Sequence, residues 1–190
     1  MMERLKYAHK NFTKKMNSTL IIFSTTDGQT KSICNRIASI IENNNLVNII
    51  NINDVADINL SSFDQIIIGA SIRYGKHHPD LYQFIKENKA VLDLKKSSFF
   101  SVNVVARKPE KNTAATNPYM QKFLKLADWE PNDISVFAGK IDYPKYGFID
   151  KHMIRFIMWM TKGPTDLSGT YEFTDWNKVD EFANQLVLLK

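Results

Sequence analysis

With 190 residues, 44% of them hydrophobic and 12% aromatic, the chain has the material for one compact domain with a substantial core and too little for two. Scarce glycine and proline and the lack of any repeat or low-complexity tract argue against a disordered or solenoid protein, and a single Cys excludes an internal disulfide framework and points to a reducing cytoplasm. The net charge of +5 is no nucleic-acid signal, because residues 1–17 place Arg4, Lys6, Lys10, Lys14 and Lys15 against Glu3 alone and leave the remainder close to neutral.

That basic leader has no apolar stretch long enough for a signal peptide or a membrane span, and it is expected to be disordered, with the folded domain over 18–190. The run Leu20 to Phe23 reads as a buried strand, and Lys31 to Ile41 repeats apolar residues at helical spacing. Between them lies Ser24-Thr25-Thr26-Asp27-Gly28-Gln29-Thr30. Free backbone N–H groups and the positive end of a helix dipole suit a phosphate there, and the hydroxyls replace a lysine. The competing reading is a turn that merely caps the helix. The loop has neither the Lys of a Walker-type loop nor the glycine triplet of a dinucleotide turn. It resembles the flavodoxin signature, with Ile21, Ile22, Phe23, Thr25, Gly28, Thr30 and Ile37 in the expected places and Cys34 where Ala is usual.

Leu46 to Ile52 reads as the second strand, Gln65 to Ala70 as the third, Leu81 to Asn88 as a helix and Ser98 to Val105 as the fourth strand. A helix around Tyr119 to Ala127, a fifth strand over Ile134 to Gly139 and a last helix from Thr174-Asp175 towards Leu189 complete the series. Alternation at this spacing predicts an α/β, flavodoxin-like, doubly wound five-stranded parallel sheet of order 2-1-3-4-5. Ligands of such sheets lie beyond the carboxyl ends of the strands, where the loop at Ser24 meets Ser71-Ile72-Arg73-Tyr74-Gly75 and the turn following Val105. Tyr74 and Gly75 suit a flat ring, and Arg73, Lys76, Arg107 and Lys108 make a cationic rim for a carboxylate-bearing substrate, the bland alternative being solvated charge. No metal site is expected, because His77-His78 has no partners at ligand spacing.

The connection before the last helix, about 140–166, is a basic-aromatic insertion. Ile149, Met153, Phe156, Ile157 and Met160 share one helical face, Lys151 and Arg155 another, and Lys145 and Lys162 flank them. The pattern fits an interfacial helix, with a core helix or a dimer seam as the alternative.

The Ser-Ile-Arg-Tyr-Gly run from Ser71, the Val-Ala-Arg-Lys-Pro-Glu-Lys run from Val105 and this insertion make the chain closely similar to the quinone-dependent protoporphyrinogen IX dehydrogenases. The resemblance implies non-covalent FMN held by Ser24 to Thr30, by Ser71, Ile72, Arg73, Tyr74 and Gly75, and by Asn103, Val104 and Ala106. It implies oxidation of protoporphyrinogen IX, with electrons passed to ubiquinone or menaquinone. It also implies peripheral attachment to the cytoplasmic face of the inner membrane through Phe148, Ile149, Met153, Phe156, Ile157, Trp159 and Met160. Substrate carboxylates are expected at Arg73, Arg107 and Lys108. The readings set against this one are an electron-transfer flavodoxin, an NAD(P)H:quinone reductase and a flavin-free binding module.

Overall fold

The structure, a computed structural model, describes residues 16–188. Five parallel strands, β1 (Asn17–Ser24), β2 (Asn45–Asn51), β3 (Gln65–Ser71), β4 (Lys96–Val102) and β5 (Asp133–Phe137), form one sheet in the order β2-β1-β3-β4-β5. Helices α1 (Gln29–Ile41), α2 (Pro79–Leu94), α3 (Pro118–Leu126), α4 (Phe148–Met160) and α5 (Trp176–Leu188) follow in chain order. Between β5 and α5 a second, two-stranded antiparallel sheet pairs β6 (Lys140–Asp142) with β7 (Thr170–Glu172).

Strands β1 and β3 carry unbroken apolar runs, Leu20 to Phe23 and Ile66 to Ala70, because both faces are covered. Ile21, Phe23, Ile67, Phe100 and Phe137 pack with Ile33, Ile37 and Ile41 of α1 and Val179, Phe182 and Leu186 of α5. Leu20, Ile22, Ile66, Ile68 and Phe99 pack on the other side with Leu81, Phe84 and Ile85 of α2 and Met120 and Phe123 of α3. The Phe99 and Phe123 rings stack at 3.8 Å. Gly69 makes room for the Phe100 ring, since a Cβ there would come within 2.2 Å of it. Cys34 is buried in this core, where desolvation pushes its thiol far up and leaves it inert.

Several boundaries differ from expectation, and capping explains most of them. Helices α2 and α3 begin before the first periodic apolar residue. His78 accepts from Asp80 N–H, Asn117 Oδ1 accepts from Tyr119 and Met120 N–H at 3.1 and 3.2 Å, and a proline follows each cap. The fourth strand stops at Val102 rather than Val105. Asn103 Oδ1 accepts from Ala106 N–H at 3.1 Å and bends Val104–Arg107 into a 3₁₀ turn despite the strand-forming valines. In the same way Asn51 Oδ1 accepts from Asn53 N–H and takes Ile52 out of β2. Gly139 lies beyond β5. The expected leader falls outside the described residues except at its end, where Asn17 is already the first residue of β1. The insertion is longer than 140–166, because β7 closes it, and it has its own small core of Ile141, Tyr143, Tyr146 and Met158.

Candidate active site

The carboxyl ends of β1, β3 and β4 open into a cavity of about 510 Å³, a size usual for small-molecule sites. Its floor is the loop between β1 and α1. Gly28 holds a positive φ of 88°, which lets the chain turn sharply into the helix, and its N–H donates to Thr25 Oγ1 at 3.0 Å. No side chain caps α1, and its first turn contains no acidic residue, so the helix start is open to an anion. Thr30, in that turn, is completely buried, lines the cavity, and its Oγ1 has no hydrogen-bond partner. Trp129 Nε1 is the other such atom among the described residues, and it lies in the core beside α3, outside the cavity. An uncapped helix with an orphaned hydroxyl fits a phosphate and removes the reading of the loop as a mere cap.

The second edge is the turn after β3. Tyr74 and Gly75 both have positive φ, 49° and 76°, and Arg73 and Lys76 close the turn through mutual backbone hydrogen bonds. Ser71, Ile72, Arg73, Tyr74 and Gly75 all line the cavity. Behind the third edge lies a buried polar chain. Ser101 Oγ sits 3.1 Å from His77 Nε2 and accepts from Asn103 Nδ2 at 3.3 Å, while Asn117 Nδ2 donates to Asn103 Oδ1 at 3.1 Å. This chain holds Asn103 and Val104 at the cavity wall.

Burial, reinforced by the charge of Lys122, lowers His77 from its ordinary 6.5 to about 4. The unfolded chain takes up this proton near pH 6.5, whereas the folded protein resists it until about pH 4. The stability contribution is therefore complete above pH 6.5 and is lost as pH falls through that window. Urea melts of the parent and His77→Asn are expected to show the parent's advantage shrinking by about 3 kcal/mol between pH 7 and pH 4. A pH-independent difference would contradict a neutral buried imidazole.

The remaining wall comes from the insertion. Met153, Ile154, Ile157 and Met158 of α4 line the cavity, and α4 is fastened at each end by an arginine of the rim. Arg73 binds Asp27 at 2.9 Å and Asp150, in the first turn of α4, at 2.6 Å, and the Tyr74 hydroxyl donates to the same Asp150 carboxylate. The Arg73 guanidinium lies 5.1 Å from the Tyr74 ring centroid and 5.2 Å from that of Tyr146. Burial raises Asp27 above the usual carboxylate range, with Arg73 opposing, whereas the Tyr74 hydrogen bond and then Arg73 hold Asp150 below it. At the other end Arg107 Nη2 donates to Thr161 O and Oγ1 at 2.8 and 2.9 Å, and Nη1 donates to Val104 O at 3.1 Å. All three acceptors are neutral, and among the described residues no carboxylate pairs with Arg107. Burial lowers its pKa, opposed by the more distant charge of Glu110.

The structure brings together Thr25, Asp27, Gln29 and Thr30, the whole Ser71 to Gly75 run, Asn103, Val104 and Arg107. Ser24 and Thr26 face, with Thr25, an adjacent cleft beside Asn51 and Asn53. Gly28 shapes the loop without lining the cavity. Ala106 is buried in the core and serves through its N–H, and Lys108 does not reach the cavity. Among the residues expected at a membrane, Phe148, Ile149, Phe156, Trp159 and Met160 point outward, while Met153 and Ile157 are shared between surface and cavity. Only Met158 of α4 is fully buried, so α4 is not a core helix. Tyr119, Tyr146, Gly139, Lys140 and Ile141 also line the site; the apolar density of the insertion pointed towards Ile141 and Tyr146, and no sequence signal pointed towards Tyr119 or Gly139.

Residues 20–168 match the family model described as flavodoxin domain. The chain is 41% identical over 172 residues, 90% of its length and 95% of the relative's, to the protoporphyrinogen IX dehydrogenase (quinone) of Escherichia coli strain K12. It is 40% identical to the protein of that name from Leishmania major, over 90% of this chain and 74% of that one. Among solved structures, oxidised flavodoxin 1 from Bacillus cereus superposes with a TM-score of 0.52 at 17% identity, covering 91% of this chain and 99% of the other, a likeness of fold alone.

Proposed function

The chain belongs to the flavodoxin-domain family and, within it, to the protoporphyrinogen IX dehydrogenases (quinone), and from that premise we propose that the cavity holds FMN and oxidises protoporphyrinogen IX, passing the electrons to a membrane quinone. The observation that carries the cofactor reading is the orphaned Thr30 hydroxyl at the uncapped start of α1, which suits a terminal phosphate. A bound flavin supplies reversible two-electron chemistry, so protoporphyrinogen IX, in losing six electrons and six protons, reduces three quinones to quinols.

The protein's own groups place the reactants. Thr25, Gln29, Thr30 and the first N–H groups of α1 hold the phosphate, and Arg73 neutralises Asp27, which would otherwise repel it. Gln29 is itself steadied by donating to Glu172 Oε1 and Thr174 Oγ1 at 3.0 and 2.9 Å. The β3 turn and the Asn103-Val104 wall border the ring position. Met153, Ile154, Ile157 and Met158 exclude water over an apolar macrocycle, and Arg107 meets a propionate because none of its present acceptors carries a charge. An electron-transfer flavodoxin has no use for this wall. Anaerobic turnover of protoporphyrinogen IX with a soluble quinone, followed by porphyrin fluorescence, tests the assignment.

The outer belt of α4, with Phe148, Ile149, Phe156, Trp159 and Met160 exposed beside Lys145, Lys151, Arg155 and Lys162, supports a peripheral seat on anionic lipid, where ubiquinone or menaquinone is found. No described helix is long and apolar enough to cross a membrane. Because the inner face of α4 lines the cavity, point changes test this seat better than deletion. Phe156→Glu with Trp159→Glu is expected to lower sedimentation with phosphatidylglycerol vesicles at least about fivefold, two interfacial aromatics having become charges. Undiminished sedimentation would refute the seat.

A further inference from the structure

Arg73, which lines the cavity together with Asp27, carries one positive charge and holds two carboxylates, Asp27 at 2.9 Å and Asp150 at 2.6 Å. One of the two is sufficient for neutrality. Asp27 belongs to the phosphate loop, where an unpaired anion would oppose the cofactor, so that pair has a standing purpose. Asp150 comes from α4, the wall that stands over the cavity, and its side chain is 34% exposed. Chemically it presents to Arg73 the same group as a propionate.

We infer that Asp150 is a built-in competitor for Arg73, occupying the guanidinium until a carboxylate of the substrate displaces it. The inference rests on the porphyrinogen reading above and names the residue that tempers the affinity of Arg73 for a substrate carboxylate. Displacement leaves no charge stranded. Asp150 is the third residue of α4, where the open N–H groups of an uncapped helix start and the helix dipole favour an anion, and water already reaches it. Arg73 meanwhile exchanges one carboxylate for another and keeps Asp27 and both aromatic faces. The Tyr74 hydroxyl, the other donor to Asp150, belongs to an exposed side chain and finds water in its place, so both states are close in energy, as a reversible latch requires.

The test measures binding of protoporphyrin IX and of its dimethyl ester to the FMN-loaded parent, Asp150→Asn and Asp150→Glu by fluorescence titration, with anaerobic turnover of protoporphyrinogen IX alongside. Asp150→Asn is expected to bind the diacid about three- to tenfold more tightly than the parent, the range of a partly exposed ion pair. The ester should gain nothing, and Asp150→Glu, which keeps the charge, should match the parent. Equal gains for diacid and ester would mean only a loosened wall and would overturn the inference, as would no gain for the diacid. Turnover separates the two readings. A parent that oxidises the porphyrinogen beside an Asp150→Asn protein with no diacid gain sinks the latch alone, and a diacid gain without turnover in any variant sinks the substrate assignment alone.

Discussion

Thr30→Val is expected to weaken FMN binding about 10- to 100-fold, the worth of one charge-assisted hydrogen bond to a phosphate. In the flavin-free protein the same change should raise stability. The two side chains have nearly the same shape, and Thr30 Oγ1 is fully buried with no partner, so its hydroxyl contributes only a desolvation cost there. Removing it is expected to stabilise the flavin-free chain by up to about 2 kcal/mol in urea melts. Opposite signs for the two measurements distinguish a ligand-directed hydroxyl from a structural one. Loss of stability together with loss of FMN would mean that the hydroxyl serves the fold.

Arg107→Ala should cut kcat/KM for protoporphyrinogen IX about 30- to 100-fold, chiefly through KM, because a charged hydrogen bond to a propionate is lost from a half-buried site. The guanidinium is poised for this role by what it lacks. Its protein partners are the Val104 and Thr161 carbonyls and the Thr161 hydroxyl, which hold its position without cancelling its charge. FMN affinity should change far less, since the site proposed for its phosphate is the start of α1, away from Arg107. With the dimethyl ester of the porphyrinogen as substrate, parent and variant should differ only by the loss of the Thr161 fastening. An equal fall for diacid and ester would make Arg107 a clamp and nothing more.

These two residues show what was readable in the chain beforehand. The sheet order followed from apolar runs such as Gln65 to Ala70, which are buried on both faces and admit few alternatives. The loop between β1 and α1 was readable because its residues are contiguous. The site's other half was not, because it depends on contacts between distant segments, Arg73 with Asp150 and Arg107 with Thr161, 77 and 54 residues apart. Arg73 and Arg107 looked alike in the sequence, each closely following a strand. Only the fold separates them, pairing the first with two carboxylates and leaving the second on neutral oxygens. Local reading also failed at Val104 and Val105, where one Asn103 side-chain hydrogen bond overrides two strand-forming residues. The strands β6 and β7 span three residues each, too few for an alternation to register.

The insertion has two jobs on one helix. Its inner face lines the cavity, and its outer face, apolar and exposed, is the one proposed above to seat on lipid.

The central claim, that this cavity carries six electrons from protoporphyrinogen IX to quinone, is tested most directly by stoichiometry. The FMN-loaded protein, kept free of oxygen with excess substrate and a limiting quinone, is predicted to yield one protoporphyrin IX, read by fluorescence, for every three quinols formed. No porphyrin above the protein-free control, or porphyrin formed without quinone reduction, would contradict the account.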